Sequence, residues 1–290
     1  MRNILKNDTL IKGLAGFFGI MILFSAFVTI NSGKRETLNA VSSPKFPIIM
    51  YHSVIDDPSR ISKYVISPKS LEQDFKYLKD NGYSSITLSD LIEFQKNGTP
   101  LPEKCVLITF DDGYYNNYTY AAPLLKKYGF TAVLSAIGEF SEEYSKPDAI
   151  LSNLYSHITF NLMNESADVF EYANHSYNLH GLSERKGILK IKGEDDYRYR
   201  EVVINDTQKM QELMKTKTGK EPICYTYPFG AVDKESKSIV ESLGFPITLG
   251  CEEGLNTVSS DPASLLNLKR FNREGGLSTS EFFKKIEQSK

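Results

Sequence analysis

Cys105-Val106-Leu107-Ile108-Thr109-Phe110-Asp111-Asp112-Gly113 is the most informative stretch of the chain. Its first six residues carry no charge and have the length and residue types of a buried strand. Two carboxylates and a glycine then follow at the strand's C-terminal end. In α/β barrels and open parallel sheets that end carries the chemistry. In a continuing strand Asp111 and Asp112 diverge to opposite faces. Gly113 permits the chain to bend there and bring them to one site.

A second stretch, His175-Ser-Tyr-Asn-Leu-His180, follows another strand-like run. Residues five apart on a helix are rotated by roughly 140°, a poor arrangement for one ion. On a straight strand an odd spacing splits them between two faces. The two imidazoles share a ligand only if the chain turns after the strand, and Ser176, Asn178 and Gly181 permit that turn. Together the two stretches offer a metal one carboxylate and two histidines, with a second carboxylate left over. That is the donor set of a hydrolytic site with open coordination positions.

Working outward, strand-like runs occupy 47–52, 84–87, 105–110, 131–137, 169–174, 222–227, 246–250 and 266–271. Helical patterns separate most of them. Ser67-Pro68 opens one that stops at Asn81-Gly82, and Ser89-Asp90 opens another. Tyr118–Tyr128, Asp206–Thr218 and Asp233–Leu243 each end at a glycine. A further helix is expected over Ile150–Asn164, carrying His157. Strand alternating with helix implies parallel strands with crossovers, and seven or eight units suggest a closed α/β barrel. Residues 181–204 are charged and aperiodic, which reads as a solvated excursion.

At these residues the chain resembles the polysaccharide deacetylases, the NodB-homology carbohydrate esterases. Thr109-Phe110-Asp111-Asp112-Gly113 matches the family's first motif. His175-Ser176 and His180 match the second, with the longer spacing of the branch acting on exopolysaccharide and envelope glycans. Tyr227-Pro228-Phe229-Gly230 matches the third, and the opening Pro47-Ile-Ile-Met-Tyr51-His52 also looks like that branch. The resemblance implies an irregular (β/α)7-type barrel over residues 46–290. It implies that Asp112, His175 and His180 bind one divalent metal ion and that Asp111 is the general base. It also implies that the backbone N–H of Phe229 stabilises the oxyanion. Zinc is the expected metal, and the donor set also accepts cobalt, nickel or iron(II). The implied activity is removal of N-acetyl groups from peptidoglycan or a poly-N-acetylglucosamine.

Two departures stand out. Many members carry an arginine two residues before the proline of the third motif, and this chain has Thr226. Many end with Leu-x-His, and Leu266-Asn-Leu-Lys-Arg270-Phe-Asn has no histidine. Arg270, near the end of the last strand, is a candidate to replace the missing arginine in space. Only four histidines exist. With His157 assigned to a helix, His52 is left either as proton donor to the departing amine or as a supporting histidine. Two other functions are weighed: a metallophosphoesterase, which normally needs more histidines and carboxylates, and a glycan-binding protein on a decayed enzyme scaffold.

The bulk composition sets limits. The chain has 290 residues and a net charge of −2, so nothing suggests nucleic acid as a partner. Gly13 to Ile30 is an uncharged run behind Arg2, Lys6 and Lys12. It is expected to be a single membrane anchor with the cytoplasmic tip before it and the catalytic domain outside the cell membrane. A cleaved signal peptide, releasing a secreted form, is the rival, but Leu38-Asn39-Ala40 is a poor cleavage site. Residues 31–45 read as a linker. Of three cysteines, Cys105 and Cys224 sit in apolar runs and read as buried thiols rather than a disulfide framework, which fits a bacterial envelope.

Overall fold

Ten strands and eight helices are seen in a computed structural model that describes residues 43–289. The strands are β1 (Ile48–Tyr51), β2 (Ser53–Val54), β3 (Val65–Ile66), β4 (Ser84–Ser85), β5 (Cys105–Phe110), β6 (Ala132–Ala136), β7 (Phe170–Asn174), β8 (Cys224–Thr226), β9 (Ile247–Leu249) and β10 (Phe271–Asn272). The helices are α1 (Pro68–Asp80), α2 (Leu88–Asn97), α3 (Ala122–Tyr128), α4 (Gly138–Tyr144), α5 (Phe160–Glu165), α6 (Asp196–Thr218), α7 (Lys234–Ser242) and α8 (Thr279–Gln288).

The central sheet runs β10-β1-β5-β6-β7-β8-β9, every pairing is parallel, and β4 joins β5 at its start. All six residues of β5 are buried, as its composition requires. The last segment closes the ring: Leu268 bridges Leu249 beside β9, and three residues later Phe271 pairs with Ile49 of β1. The result is consistent with a (β/α)7 barrel. Because all these strands point one way, their C-terminal ends gather His52, Asp111, His175, Phe229, Cys251 and Asn272 at one mouth.

The helices follow from local signals. Ser67 caps α1, its hydroxyl accepting from the Ser70 N–H, and Pro68 occupies the first turn. The buried face of α1 is Leu71, Asp74, Phe75 and Leu78, a helical stripe with a carboxylate set into it. That carboxylate is met by Arg273, as described below.

Four expectations are corrected. The run 266–271 is not one strand, because Asn267 takes a left-handed backbone (φ 56°) and breaks it where the chain steps from β9 to β1. The helix expected over Ile150–Asn164 is confined to Phe160–Glu165, capped by Thr159. Ile150, Leu154 and Tyr155 have helical spacing but are 79%, 42% and 59% exposed, so no surface covers the face they would form. The helix expected from Asp206 begins ten residues earlier, capped by Asp195. Its buried stripe is Tyr199, Val203, Thr207, Met210 and Met214. Only two of these lie in the charged early part, too few to reveal a period. The stretch 181–204 is thus part helix, and Ile188 within it is fully buried.

Among the described residues no helix is long and apolar enough to cross a membrane. The expected anchor at Gly13–Ile30, and the linker up to residue 42, lie outside the described residues.

Candidate active site

The barrel mouth holds a cavity of about 530 Å3. His52, Asp111, Asp112, His175, His180 and Phe229 all line it. The bend that the two carboxylates need begins at Asp112 itself, where φ is 69°, and continues through Gly113 at 70°. A side chain at Gly113 would meet the Ala136 backbone at 3.1 Å, so glycine is required by the close approach to β6 as well as by its φ. Ser176 (φ 70°) and Phe229 (φ 58°) are also left-handed. Among the described residues, three of the four non-glycine residues with positive φ therefore lie in the loops around this cavity, and such backbone persists only where surrounding structure holds it.

Asp112, His175 and His180 place one ligand atom each within 4.8 Å of one another. The Nε2 atoms of His175 and His180 lie 3.5 and 3.1 Å from Asp112 Oδ1. The tautomer of His175 is fixed. Its Nδ1 is 2.8 Å from the Thr226 carbonyl, which only accepts, so Nδ1 carries a proton, and Nε2, which faces Asp112 in the metal-free site, is the nitrogen left to offer a lone pair once the ring is neutral. Thr226 thus orients a histidine through its carbonyl while its hydroxyl bonds Ser135. Burial pushes the Asp112 carboxyl up, but hydrogen bonds from His175 and His180 outweigh it and hold the group well below its ordinary value. One anionic oxygen and two convergent imidazole nitrogens suit a borderline divalent ion such as zinc.

Asp111 is 2% exposed and does not join that cluster. Arg270 grips it in bidentate fashion, Nη1 to Oδ1 at 2.7 Å and Nη2 to Oδ2 at 2.8 Å. Arg270 is in turn held by Gly250 O and Thr109 Oγ1. Burial pushes the Asp111 carboxyl up, yet Arg270, His175 and His52 more than compensate, and it sits below its ordinary value. Asp111 is therefore an anion at neutral pH with a fixed orientation.

His52 follows β1, and its ring lies 4.7 Å from that of Tyr64. Burial lowers its pKa, opposed by Asp112 and Asp111, and its buried Nδ1 has no partner among the described residues. Its resting state is a neutral imidazole. His157 is not on a helix. Its backbone pairs with Tyr114, and its ring is stacked on Tyr114 and Tyr144 and tilted against Phe140. It stands behind the cavity wall, and burial holds it down to about 4.

Sequence reasoning passed over three groups. Asp206 of α6 accepts from Tyr177 N at 2.8 Å and Asn178 N at 2.7 Å, clamping the turn between the two histidines. Asn174 assists, accepting from Ser176 N and donating to Thr207 O. In the sequence Asp206 read only as the start of a helix. Tyr114 lines the cavity beside Asp112, where burial and that carboxylate push its hydroxyl up. Asn272 and Glu274 line the wall supplied by the last strand, and nothing in their sequence context marked them.

Comparisons with known proteins agree with this geometry. A sequence profile of the polysaccharide deacetylase family matches residues 98–248. YxkH of Bacillus subtilis (strain 168), which bears a polysaccharide deacetylase name, is 30% identical over 250 residues, covering 85% of this chain and 77% of its own. The poly-beta-1,6-N-acetyl-D-glucosamine N-deacetylase of Escherichia coli K12 is 27% identical over 235 residues, or 74% of this chain. The match spans only 35% of that longer relative. A de-N-acetylase from Aggregatibacter actinomycetemcomitans superimposes with a TM-score of 0.71 at 21% identity, covering 83% of this chain and 100% of that one. The deacetylase PplD of Streptococcus pyogenes superimposes at 0.66, also at 21% identity, covering 86% and 99%. These two likenesses speak for the fold alone. The matched profile, the 30% identical relative and the motif residues gathered at the barrel mouth carry the assignment: the chain belongs to the polysaccharide deacetylase family.

Proposed function

We propose that this protein removes N-acetyl groups from an envelope or extracellular glycan rich in N-acetylglucosamine, and that it needs a divalent metal to do so. The observation that carries the reading is a division of labour within one cavity. Three ligand atoms converge on one point, while a fourth group, the Asp111 carboxylate, is kept out of that cluster by Arg270. A purely binding protein has no use for that division. The metallophosphoesterase alternative would need a second ion, and among the described residues no second donor cluster exists.

Asp112, His175 and His180 would hold the ion, which supplies Lewis acidity and makes water a better acid near neutral pH. Asp111 takes a proton from the attacking water. Its depressed pKa keeps it ionised and also makes it a weak base, so it serves only for a water already acidified. Arg270 holds both oxygens, so attack comes from one direction. The N–H of Phe229 faces the developing oxyanion in this account. Collapse breaks the amide C–N bond and yields acetate and an amine. His52, a neutral imidazole at rest, then delivers a proton to the amine only after acquiring one during the cycle. Failing that, Asp111 returns the proton it took.

The N-terminal run Gly13–Ile30 completes the proposal as a single anchor that keeps the catalytic domain outside the cell. Recovery of the full-length chain with membranes supports it, and a soluble form starting near Val41 contradicts it.

The deciding experiment is acetate release from N-acetylglucosamine oligomers, with a chelator arm and metal add-back, beside a phosphate-ester arm. Acetate that disappears on chelation and returns with zinc supports the reading. Glycan binding without acetate overturns it.

A further inference from the structure

We infer that the cavity wall formed by β10 and the residues after it is a subsite for a cationic amino sugar, next to the acetylated unit being hydrolysed. The inference rests on the deacetylase reading and names the substrate pattern that reading leaves open.

The wall follows from alternation. Phe271 and Arg273 are each 1% exposed and point into the protein, Arg273 reaching Asp74. Asn272 and Glu274, one position on in each case, line the cavity. Four carboxylates line it in all: Asp111, Asp112, Glu253 and Glu274. Three are already matched. Asp111 has Arg270, Asp112 has two histidines, and Glu253 has Lys285 at 2.6 Å. Glu274, partly exposed, meets no donor for its carboxylate among the described residues.

A second observation points the same way. Asn272 is 7% exposed, its Nδ2 is tied to the Lys63 carbonyl, and its Oδ1 accepts from nothing among the described residues. A buried acceptor left unpaired is costly, and a group that fills it is favoured. The wall therefore offers two acceptors, one of them anionic, and no donor of its own. Sugar hydroxyls satisfy the amide oxygen. The carboxylate selects a cation, and the cation this reaction itself makes is the ammonium of a deacetylated sugar. Two lysines, Lys63 and Lys186, also line the cavity. Both are exposed, and Lys63 leans over the Tyr64 ring, so neither is fixed against Glu274. A glycan that has already lost one acetyl group therefore binds better than one that has lost none.

The test uses the full-length, zinc-loaded protein and two N-acetylglucosamine tetramers, one fully acetylated and one carrying a single internal glucosamine. A charge-assisted hydrogen bond in a partly screened site predicts kcat/KM about tenfold higher for the mixed tetramer, carried mainly by KM. Glu274→Gln keeps the shape and removes the charge, so it brings the ratio close to one. Glu253→Gln, whose parent is already paired, keeps the preference. Equal efficiency of the wild-type protein on both tetramers, or an undiminished preference in Glu274→Gln, overturns the subsite while leaving the deacetylase standing. Acetate from neither tetramer overturns the deacetylase reading instead. The subsite is then read directly by calorimetry. Glucosamine binding better than glucose, with the gap lost in Glu274→Gln, supports it, and equal binding of the two sugars refutes it.

Discussion

Two buried arginines lie three residues apart on the segment that closes the barrel, and each grips an aspartate with two nitrogens. Arg270 holds Asp111, and Arg273 holds Asp74, with Nε to Oδ2 at 2.7 Å and Nη2 to Oδ1 at 3.2 Å. By burial and charge the pairs look alike. They differ in what else reaches the carboxylate. Asp74 also accepts from Tyr51 and from Thr279 at 2.6 Å, so both its oxygens are saturated by groups of β1 and the C-terminal helix. Among the described residues Asp111 takes only Arg270 through its side chain and keeps its remaining capacity toward the cavity. A buried ion pair is by itself weak evidence of function. Unused acceptor capacity facing a cavity is what separates the reactive pair from the structural one.

The comparison breaks most sharply at turnover. Asp111→Asn should lose roughly 10²–10⁴-fold in kcat, because the amide cannot take a proton, while metal content stays full. Asp74→Asn should leave kcat within a few-fold when assayed well below its melting temperature. A mild loss in Asp111→Asn with metal retained would remove Asp111 as base.

Stability should reverse the order. Asp74→Ala leaves Arg273 charged and buried, and about 3–5 kcal/mol should disappear from urea unfolding. Asp111→Ala also strands a buried arginine, but its site opens on water, so the loss should be visibly smaller. Equal losses would show that the cavity gives Arg270 no relief.

A third probe asks how far the site extends beyond its ligands. Asp112→Ala, His175→Ala and His180→Ala should each deplete bound metal. Asp206→Ala touches no ligand, yet it frees the turn between the histidines and should weaken zinc binding by roughly 10–100-fold against a competing chelator. Excess zinc should then restore activity. A lowered melting temperature with unchanged zinc affinity would make Asp206 merely structural.

The smallest effect concerns pH. In the metal-free protein burial lowers the His175 pKa, but the Asp112 hydrogen bond and the two nearby carboxylates outweigh it and the net shift is upward. A folded pKa above the unfolded one stabilises at acid pH. That stabilisation is complete below the ordinary imidazole value of ~6.5 and is lost as pH rises through the higher folded value. The melting temperature of metal-free protein should therefore decline across that window. His175→Gln should flatten the decline, and zinc should remove it. An identical slope in the variant would show that another group titrates.

Much of this was legible in the residues alone. The run 105–110 reads as a strand because six uncharged residues leave no other low-energy use for them. The motif residues could be named because Asp111, Asp112 and His175 directly follow strand-like runs and because the motifs resemble those of a known family. The helix capped by Ser67 and Pro68 is equally local. What escaped was non-local. Arg270 could be offered as an orienting residue from its place near a strand end, but the aspartates that it and Arg273 meet, 159 and 199 residues away, could not be read from the sequence. The early turns of the helix from Asp196 were hidden, since a stripe one residue wide gives too weak a period. Ile150–Tyr155 misled for the opposite reason, having a helical period with no surface to bury it. Local propensity and hydrophobic period thus set the elements and the order of motifs. Closure of the barrel chose which charges meet, because only packing across the ring places a partner within hydrogen-bond reach.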